Sequence, residues 1–399
     1  MTSLLIKKAS EILTMTDGIG LIKDSSIMID DGVVKHVGKI DGHVKGETID
    51  ARGCLVIPGF VDAHTHLVFA GSREHEFELR NSGIKYEKIA KQGGGIFSTV
   101  LETRKASEDD LFSLGMKRIE KIMQSGTTTV EIKSGYGLSK SEEIKMLRVI
   151  KRLKEHAPID VVPTYLVHAI PPQMKARDYI DMVNEEIIPE VARDKLAAFC
   201  DIFCDKTAFT RKQSELVLIR AREFNLKLKI HADELTNSGG ATLAAKLGCT
   251  SADHLIFTTR SGIKDMKKSG VIPVLLPGTS LFLKSKVKPK IHLFMKYRTP
   301  VAISSDYNPG TCMIYSMPVI MSLACMLYGL TAEKAFEAAT INSARALDIA
   351  DRVGSLRPGG QADVVILNTD HFGKVPYQCA EPMVRMVIKK GKIVYGKNS

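Results

Sequence analysis

Gly59-Phe60-Val61-Asp62-Ala63-His64-Thr65-His66, led in by the apolar run Leu55-Val56-Ile57, reads as a buried strand that ends in two histidines. Residues i and i+2 of a strand point to the same side. His64 and His66 therefore aim both imidazoles at one point, the arrangement a shared metal ion requires. Taken alone, H-x-H is more often two polar histidines at a strand end than a metal site. Its meaning depends on what the rest of the chain brings beside it.

Outward from this stretch the middle of the chain alternates strand and helix. Apolar or β-branched runs at 60–66, 127–133, 159–167, 196–203, 226–231, 251–256, 271–276 and 300–305 have the composition of parallel strands covered on both faces. Amphipathic stretches separate them, at about 141–155, 175–193, 211–224, 239–247 and 331–347. Another begins at Ser107 with Asp110 as a capping-box-like start, presents Leu111, Leu114, Ile119, Ile122 and Met123 on one face, and stops before Gly126. Eight strands in this order favour a (β/α)8 barrel of the TIM type, with a doubly wound open sheet as the alternative.

The two ends read differently. Ser26 to Val34 is a strand, an Asp30-Asp31-Gly32 turn and a second strand. Ala362 to Leu367 is a strand, and Met386 to Tyr395 a hairpin around Lys390-Gly391. Neither end carries enough residues for a core of its own. They are expected to join into one small composite β-sandwich domain, residues 1–56 with 351–399, into which the barrel, residues 57–350, is inserted.

The chain has 399 residues, 44% hydrophobic and 25% charged, which is a globular composition. Its net charge of +11 invites a nucleic-acid reading, but Lys and Arg are spread along the chain. The densest run, Lys284-Ser285-Lys286-Val287-Lys288-Pro289-Lys290, has no aromatics for base stacking and reads as a solvated loop. No nucleic-acid partner is expected. The positive field suits anionic small molecules instead. Seven cysteines, an odd number without a C-x-x-C pair, indicate reduced thiols in a cytoplasmic protein. No apolar run approaches the roughly 18 residues of a membrane span.

In a barrel, catalytic groups sit at the C-terminal ends of strands. Those ends carry His64 and His66, then Glu131 to Gly137, His168, His231 with Glu234, Asp253-His254, and Ser304 to Asn308. Closure places Asp306 beside the His64/His66 pair, and His231 faces them across the mouth. Three neutral imidazoles and a carboxylate form a mostly nitrogen donor set for one divalent ion, Zn²⁺ or Fe²⁺, with zinc slightly preferred. Such an ion supplies hydroxide near neutral pH. The candidate catalytic groups are Glu234 as proton shuttle, His254 for the developing oxyanion or for placing the nucleophile, and Asp306.

Other motifs are weaker. Gly93-Gly94-Gly95 lacks the Gly-Lys-Ser/Thr of a phosphate loop and reads as giving mobility to the excursion after the first strand. Asn308-Pro309-Gly310-Thr311 is a turn whose amides and Thr311 hydroxyl stand ready for a substrate carboxylate. The methionines from Met313 to Met326 have helical spacing and read as core.

These residues together resemble the amidohydrolase superfamily: H-x-H on strand 1, histidines after strands 5 and 6, aspartate on strand 8, and a β-domain from both termini. More specific are Lys133-Ser134-Gly135-Tyr136-Gly137-Leu138, Gln92-Gly93-Gly94-Gly95-Ile96, His231-Ala232-Asp233-Glu234 and Asp306-Tyr307-Asn308-Pro309-Gly310-Thr311. Their match within the superfamily implies hydrolysis of 4-imidazolone-5-propanoate to N-formimidoyl-L-glutamate, in histidine degradation. It implies His64, His66, His231 and Asp306 as metal ligands, and Arg73, Tyr136, His168, Glu234, Asn308, Gly310 and Thr311 around the substrate. Arg73 lies on the loop leaving strand 1, where a guanidinium can grip a propanoate through two hydrogen bonds. Related barrels bridge two metals with a carbamylated lysine on strand 4. Strand 4 here has none, and Lys133 falls on strand 2, so one ion is expected. The resemblance also implies a homodimer. The alternatives are a deaminase of the same barrel family acting on a base-like or pterin ring, and a barrel that binds metal or nucleic acid without catalysis.

Overall fold

In the computed structural model, which describes residues 3–40, 46–84 and 94–396, the N-terminal part makes strands β1 (Ser3–Leu13), β2 (Leu21–Asp30), β3 (Val33–Gly38), β4 (Glu47–Asp50) and β5 (Leu55–Pro58). The barrel follows as β6 (Phe60–Asp62), β7 (Thr127–Lys133), β8 (Asp160–Val167), β9 (Phe199–Cys204), β10 (Lys227–Ala232), β11 (Ser251–His254), β12 (Ile272–Leu275) and β13 (Ala302–Ile303). The C-terminal part adds β14 (Val364–Leu367), β15 (Val384–Lys389) and β16 (Lys392–Tyr395).

β6 to β13 pair in parallel and in sequence order. Their residues are almost all buried, as both faces of such a sheet require. Backbone bonds close the ring: Asp306 N donates to His64 O at 3.0 Å, His66 N donates to Tyr307 O at 3.0 Å, and Thr65 bridges Tyr307 in parallel. The architecture is a TIM-type barrel. β6 and β13 are shorter than the expected 60–66 and 300–305 because serine and aspartate side chains replace the ladder there. Ala63 N donates to Ser304 Oγ at 3.0 Å, and Ser305 N donates to Asp62 Oδ1 at 3.0 Å.

The helix from Glu108 to Gln124 starts with the anticipated capping box between Ser107 and Asp110. Two expected helices are broken. The 175–193 run divides into Ala176–Met182, a π-turn at Val183–Ile187 and Ile188–Arg193, since Pro189 has no N–H to continue the α ladder. The 331–347 run divides at Thr340 (φ −129°, ψ −94°), whose hydroxyl donates to Phe336 O at 2.6 Å. Of the methionine stretch, Met317 and Met321 are core, whereas Met313 and Met326 are exposed. Lys284 to Lys290 is a loop.

The terminal strands form one hydrogen-bonded sheet in the order β16-β15-β14-β5-β1-β2-β3, with β4 beside β1. β5 lies between β1 and β14, pairing Leu55 with Leu367 and Pro58 with Val364. The expected division after residue 56 thus cuts a strand that stays with this sheet through Pro58. The sheet bends until its hairpin tips meet, Ala362 N donating to Gly32 O and Gly391 N to Ala362 O. Ile6, Ile12, Ile27, Ile29, Val364 and Ile388 fill the enclosed core. Asp160, at the start of β8, anchors this sheet to the barrel floor through Lys389 and Lys390, each at 2.9 Å. All seven cysteines are free thiols. No helix among the described residues is long and apolar enough to cross a membrane.

Candidate metal centre and active site

His64, His66, His231, His254 and Asp306 meet at the C-terminal mouth of the barrel, all buried. The His64 ring lies 5.3 Å from His66, 4.6 Å from His231 and 5.4 Å from His254 between centroids. Asp306 Oδ1 is 3.5 Å from His64 Nε2 and 3.3 Å from His66 Nε2. Ligand atoms cluster in two overlapping sets that share His64: His64, His66 and Asp306, and His64, His231 and His254.

Two buried carboxylates orient these rings. His64 Nδ1 is 2.6 Å from Asp253 Oδ2, and His231 Nδ1 is 3.1 Å from Asp201 Oδ2. Each holds the Nδ1 side of its ring and turns Nε2 into the cluster. His64 Nε2, His66 Nδ1 and both nitrogens of His231 are buried without a hydrogen-bond partner, the approach of Asp201 to His231 Nδ1 being an ion-pair contact rather than an aligned hydrogen bond. Buried polar nitrogens facing one another fit a metal ion far better than an apolar core. Burial, with the Lys133 charge, holds His64 well below the ordinary imidazole range, and burial lowers His66 as well. Both are neutral, as ligation requires. Burial opposes ionisation of Asp306, yet the His66 hydrogen bond, the facing His254 and the Thr279 hydroxyl hold its carboxyl down at about 2. The residues fit a divalent metal ion.

Glu234 stands on the loop leaving β10, its carboxylate 3.5 Å from His254 Nε2. Burial, reinforced by the Asp306 and Asp205 charges, pushes its carboxyl well above the usual carboxylate range. Burial depresses His254 to about 3. Neighbouring aspartates build the loop: Asp233 accepts from Ser238 N and Gly240 N, and Asp205 from Leu235 N and Thr236 N. Asp233 (φ 52°), His254 (φ 74°), Leu255 (φ 61°) and Asp306 (φ 51°) all adopt left-handed backbone. Such strain concentrated at one site is typical of a functional centre.

Tyr136 and His168 pack beside His66, with ring centroids 6.0 and 5.3 Å away. Tyr136 sits on a loop gathered by Glu143, whose buried carboxylate accepts from Gly135 N (3.0 Å), Gly137 N (2.7 Å) and Leu138 N (2.8 Å). No sequence motif marked Glu143. It acts on a segment several residues upstream, and only the folded loop shows it. Arg73, the N-cap of helix Glu74–Asn81, is buried and paired with Glu76 at 2.7 Å. Glu76 also accepts from Gly95 N at 2.8 Å. The Gln92-Gly93 part of the glycine motif lies outside the described residues.

The Asp306–Thr311 turn departs from expectation. Its amides are satisfied within the turn: Gly310 N and Thr311 N donate to Asn308 Oδ1 at 2.8 and 2.7 Å. Asn308 Nδ2 donates to Asp306 O and Thr311 Oγ1. Asn308 and Thr311 thus tie the turn to itself, an Asx arrangement of the kind Asn favours, and Gly310 leaves space that the Arg73 guanidinium fills.

A family model described as the Amidohydrolase family matches residues 55–394. The imidazolonepropionase of Geobacillus kaustophilus (strain HTA426) is 42% identical over 417 aligned residues, covering 99% of this chain and 98% of its own. That of Aliivibrio fischeri (strain MJ11) is 41% identical, covering 98% of each. Among solved structures, an adenosine deaminase from Xanthomonas campestris with bound zinc superposes with a TM-score of 0.74 at 19% identity, over 100% of this chain and 94% of that one. The zinc complex of an atrazine chlorohydrolase from Arthrobacter aurescens TC1 gives 0.72 at 16%, over 99% and 95%. The solved structures share the fold, while the sequence relatives match across almost their whole length. The chain belongs to the amidohydrolase family and, within it, to the imidazolonepropionases.

Proposed function

We propose that this chain hydrolyses 4-imidazolone-5-propanoate to N-formimidoyl-L-glutamate, a step of histidine degradation, with one divalent ion held by His64, His66, His231 and Asp306. The observation that carries the reading is a His/His/Asp cluster adjoined, through the Asp306–Thr311 turn, by the buried guanidinium of Arg73. A bound divalent ion supplies the Lewis acidity that makes water nucleophilic near neutral pH.

The residues do the rest. Arg73 takes the propanoate, which leaves the ring to lie against Tyr136 and His168. Glu234 accepts the proton of the attacking water and returns it to the ring nitrogen as the C(=O)–N bond breaks. Its raised affinity for a proton favours the accepting half of that transfer. The water oxygen ends in the new carboxylate. His254, neutral and aimed at Glu234, stabilises the charge developing on the carbonyl oxygen. Arg73, Tyr136, His168 and Glu234 make the substrate contacts. Asn308, Gly310 and Thr311 act through the turn that seats Arg73.

Zinc is the preferred ion, with iron second, because the set is nitrogen-rich with one carboxylate. The reading extends to a homodimer, to the reducing cytoplasm that seven free thiols suit, and to the absence of nucleic-acid partners. Metal analysis of the purified protein, with loss of ultraviolet absorbance of imidazolone propanoate, tests it, and sizing tests the dimer. No turnover of that compound, together with ammonia release from cytosine or guanine, would replace it with a deaminase. That alternative is carried by the H-x-H and H-x-x-E pattern alone.

A further inference from the structure

Beneath the histidines the barrel is not filled by the usual branched apolar side chains. Glu131, Lys133, Asp201, Lys229 and Asp253 are all fully buried there. Lys133, Asp201 and Asp253 come from β7, β9 and β11, alternate strands whose inward side chains share a layer in such barrels. Lys133 Nζ lies 2.7 Å from Asp201 Oδ2, 2.8 Å from Glu131 Oε1 and 3.7 Å from Asp253 Oδ2. Lys229 Nζ donates to Ala63 O at 3.0 Å and stands 3.4 Å from Glu131. Two ammoniums against three carboxylates in a dry interior are costly to bury, and such groups seldom add net stability. Their placement points to another use, because Asp201 and Asp253 are the two carboxylates that orient His231 and His64.

We propose that Lys133 is the positioning residue of the metal centre: its buried ammonium, shared between Asp201 and Asp253, fixes the carboxylates that aim His231 and His64 at a common point. One cation on β7 thereby couples a ligand just past the end of β6 with one on β10. Without it Asp201 loses the ammonium at 2.7 Å, Asp253 is left with Lys229 at 3.9 Å and the Ser251 hydroxyl, and the two carboxylates repel each other behind their imidazoles. The proposal rests on the reading of His64 and His231 as metal ligands. It also gives Lys133 a role that needs an ammonium, which a carbamate-forming lysine would lack.

The test is zinc affinity of the folded full-length protein, measured by competition with a chromogenic chelator. The variant is Lys133→Met with Glu131→Gln, which keeps the buried charge balance. Loss of an outer-shell partner weakens metal binding by about 10–100-fold, and that loss is expected here with the circular dichroism spectrum retained. Glu131→Gln alone, which leaves both orienting carboxylates paired, is expected to bind zinc like the parent. Lys133→Gln, one atom shorter and uncharged but still an N–H donor, is the second variant should the double one not fold; the same weakening is expected. Parent-like zinc affinity in either folded Lys133 variant overturns the proposal. Parent-like affinity in His231→Ala instead overturns the ligand assignment beneath it.

Discussion

Gly310 lies against the guanidinium of Arg73 so closely that a Cβ at position 310 would overlap Nη1. Arg80 Nη1 donates to Gly310 O at 2.9 Å, so a second arginine fixes the same residue from its carbonyl side. Gly310→Ala is therefore expected to push Arg73 from its seat and raise KM for imidazolone propanoate about tenfold or more, with a smaller change in kcat. Arg73→Ala is expected to raise it further, since a charge-assisted hydrogen bond contributes about 1.5–3 kcal/mol. Steady-state kinetics of both variants check this. An unchanged KM in Arg73→Ala places the carboxylate elsewhere.

Glu234→Gln keeps the shape of the side chain but cannot carry a proton. It is expected to retain metal and lose about 10²–10⁴-fold in kcat. Metal analysis beside turnover numbers decides it, and near-parental turnover in the metal-loaded variant would falsify the shuttle.

Glu143→Gln tests the loop that carries Tyr136. The amide oxygen can still accept from Gly137 N and Leu138 N, but its NH2 group then opposes Gly135 N–H. A loss of about 1–3 kcal/mol in denaturant unfolding is expected. It should come with a fall in kcat/KM as Tyr136 leaves its place beside His66. Stability loss with intact kinetics would make Glu143 a scaffold residue only.

Asp160 offers a pH test. Burial works against its ionisation, but Lys389 and Lys390 prevail and hold its carboxyl below the ordinary range. A carboxyl with a depressed folded-state pKa stabilises the fold above its unfolded value of about 4 and loses that contribution as pH falls through the folded one. Asp160→Asn is expected to cost about 3 kcal/mol at pH 7. The gap between variant and parent should narrow below about pH 4. A gap that does not change with pH contradicts the assignment.

Removal of metal by a chelator is expected to abolish turnover and lower the melting temperature, because a ligand that binds only the folded state stabilises it. At a hundredfold excess over its Kd, zinc restores about 2.7 kcal/mol. Calorimetry with and without chelator shows it. A melting temperature indifferent to both chelator and zinc would contradict a structural share for the ion.

Much of the fold was legible because parallel barrel strands announce themselves as apolar runs, and β7 matches its run end to end. The candidate metal cluster was legible for a related reason, since strand order alone brings Asp306 next to His64 and His66. What escaped was held by contacts distant in sequence. Asp201 reads as an ordinary strand residue and Asp253 as a polar strand-end group beside His254, and only closure shows them behind His231 and His64. Helix Glu74–Asn81 has no side-chain cap and buries only Glu76, so no apolar stripe marked it. Leu55-Val56-Ile57 looked like the approach to the first barrel strand, yet its backbone pairs with β1 and β14. The Asn308 turn was recognised as a turn, but nothing in its composition showed which way its amides point.

The position of β5 between β1 and β14 has a consequence for how the chain is made. As the polypeptide leaves the ribosome, Leu55 to Pro58 emerge long before Val364 to Leu367, the strand that will cover their free edge. Throughout that interval a short apolar strand offers unpaired amides and carbonyls, the kind of edge that recruits other chains. Vectorial synthesis therefore favours a nascent chain that stays shielded until translation is nearly done. A stop codon ahead of Val364 would leave the barrel its full set of strands while stranding that edge, and the product would be expected to aggregate.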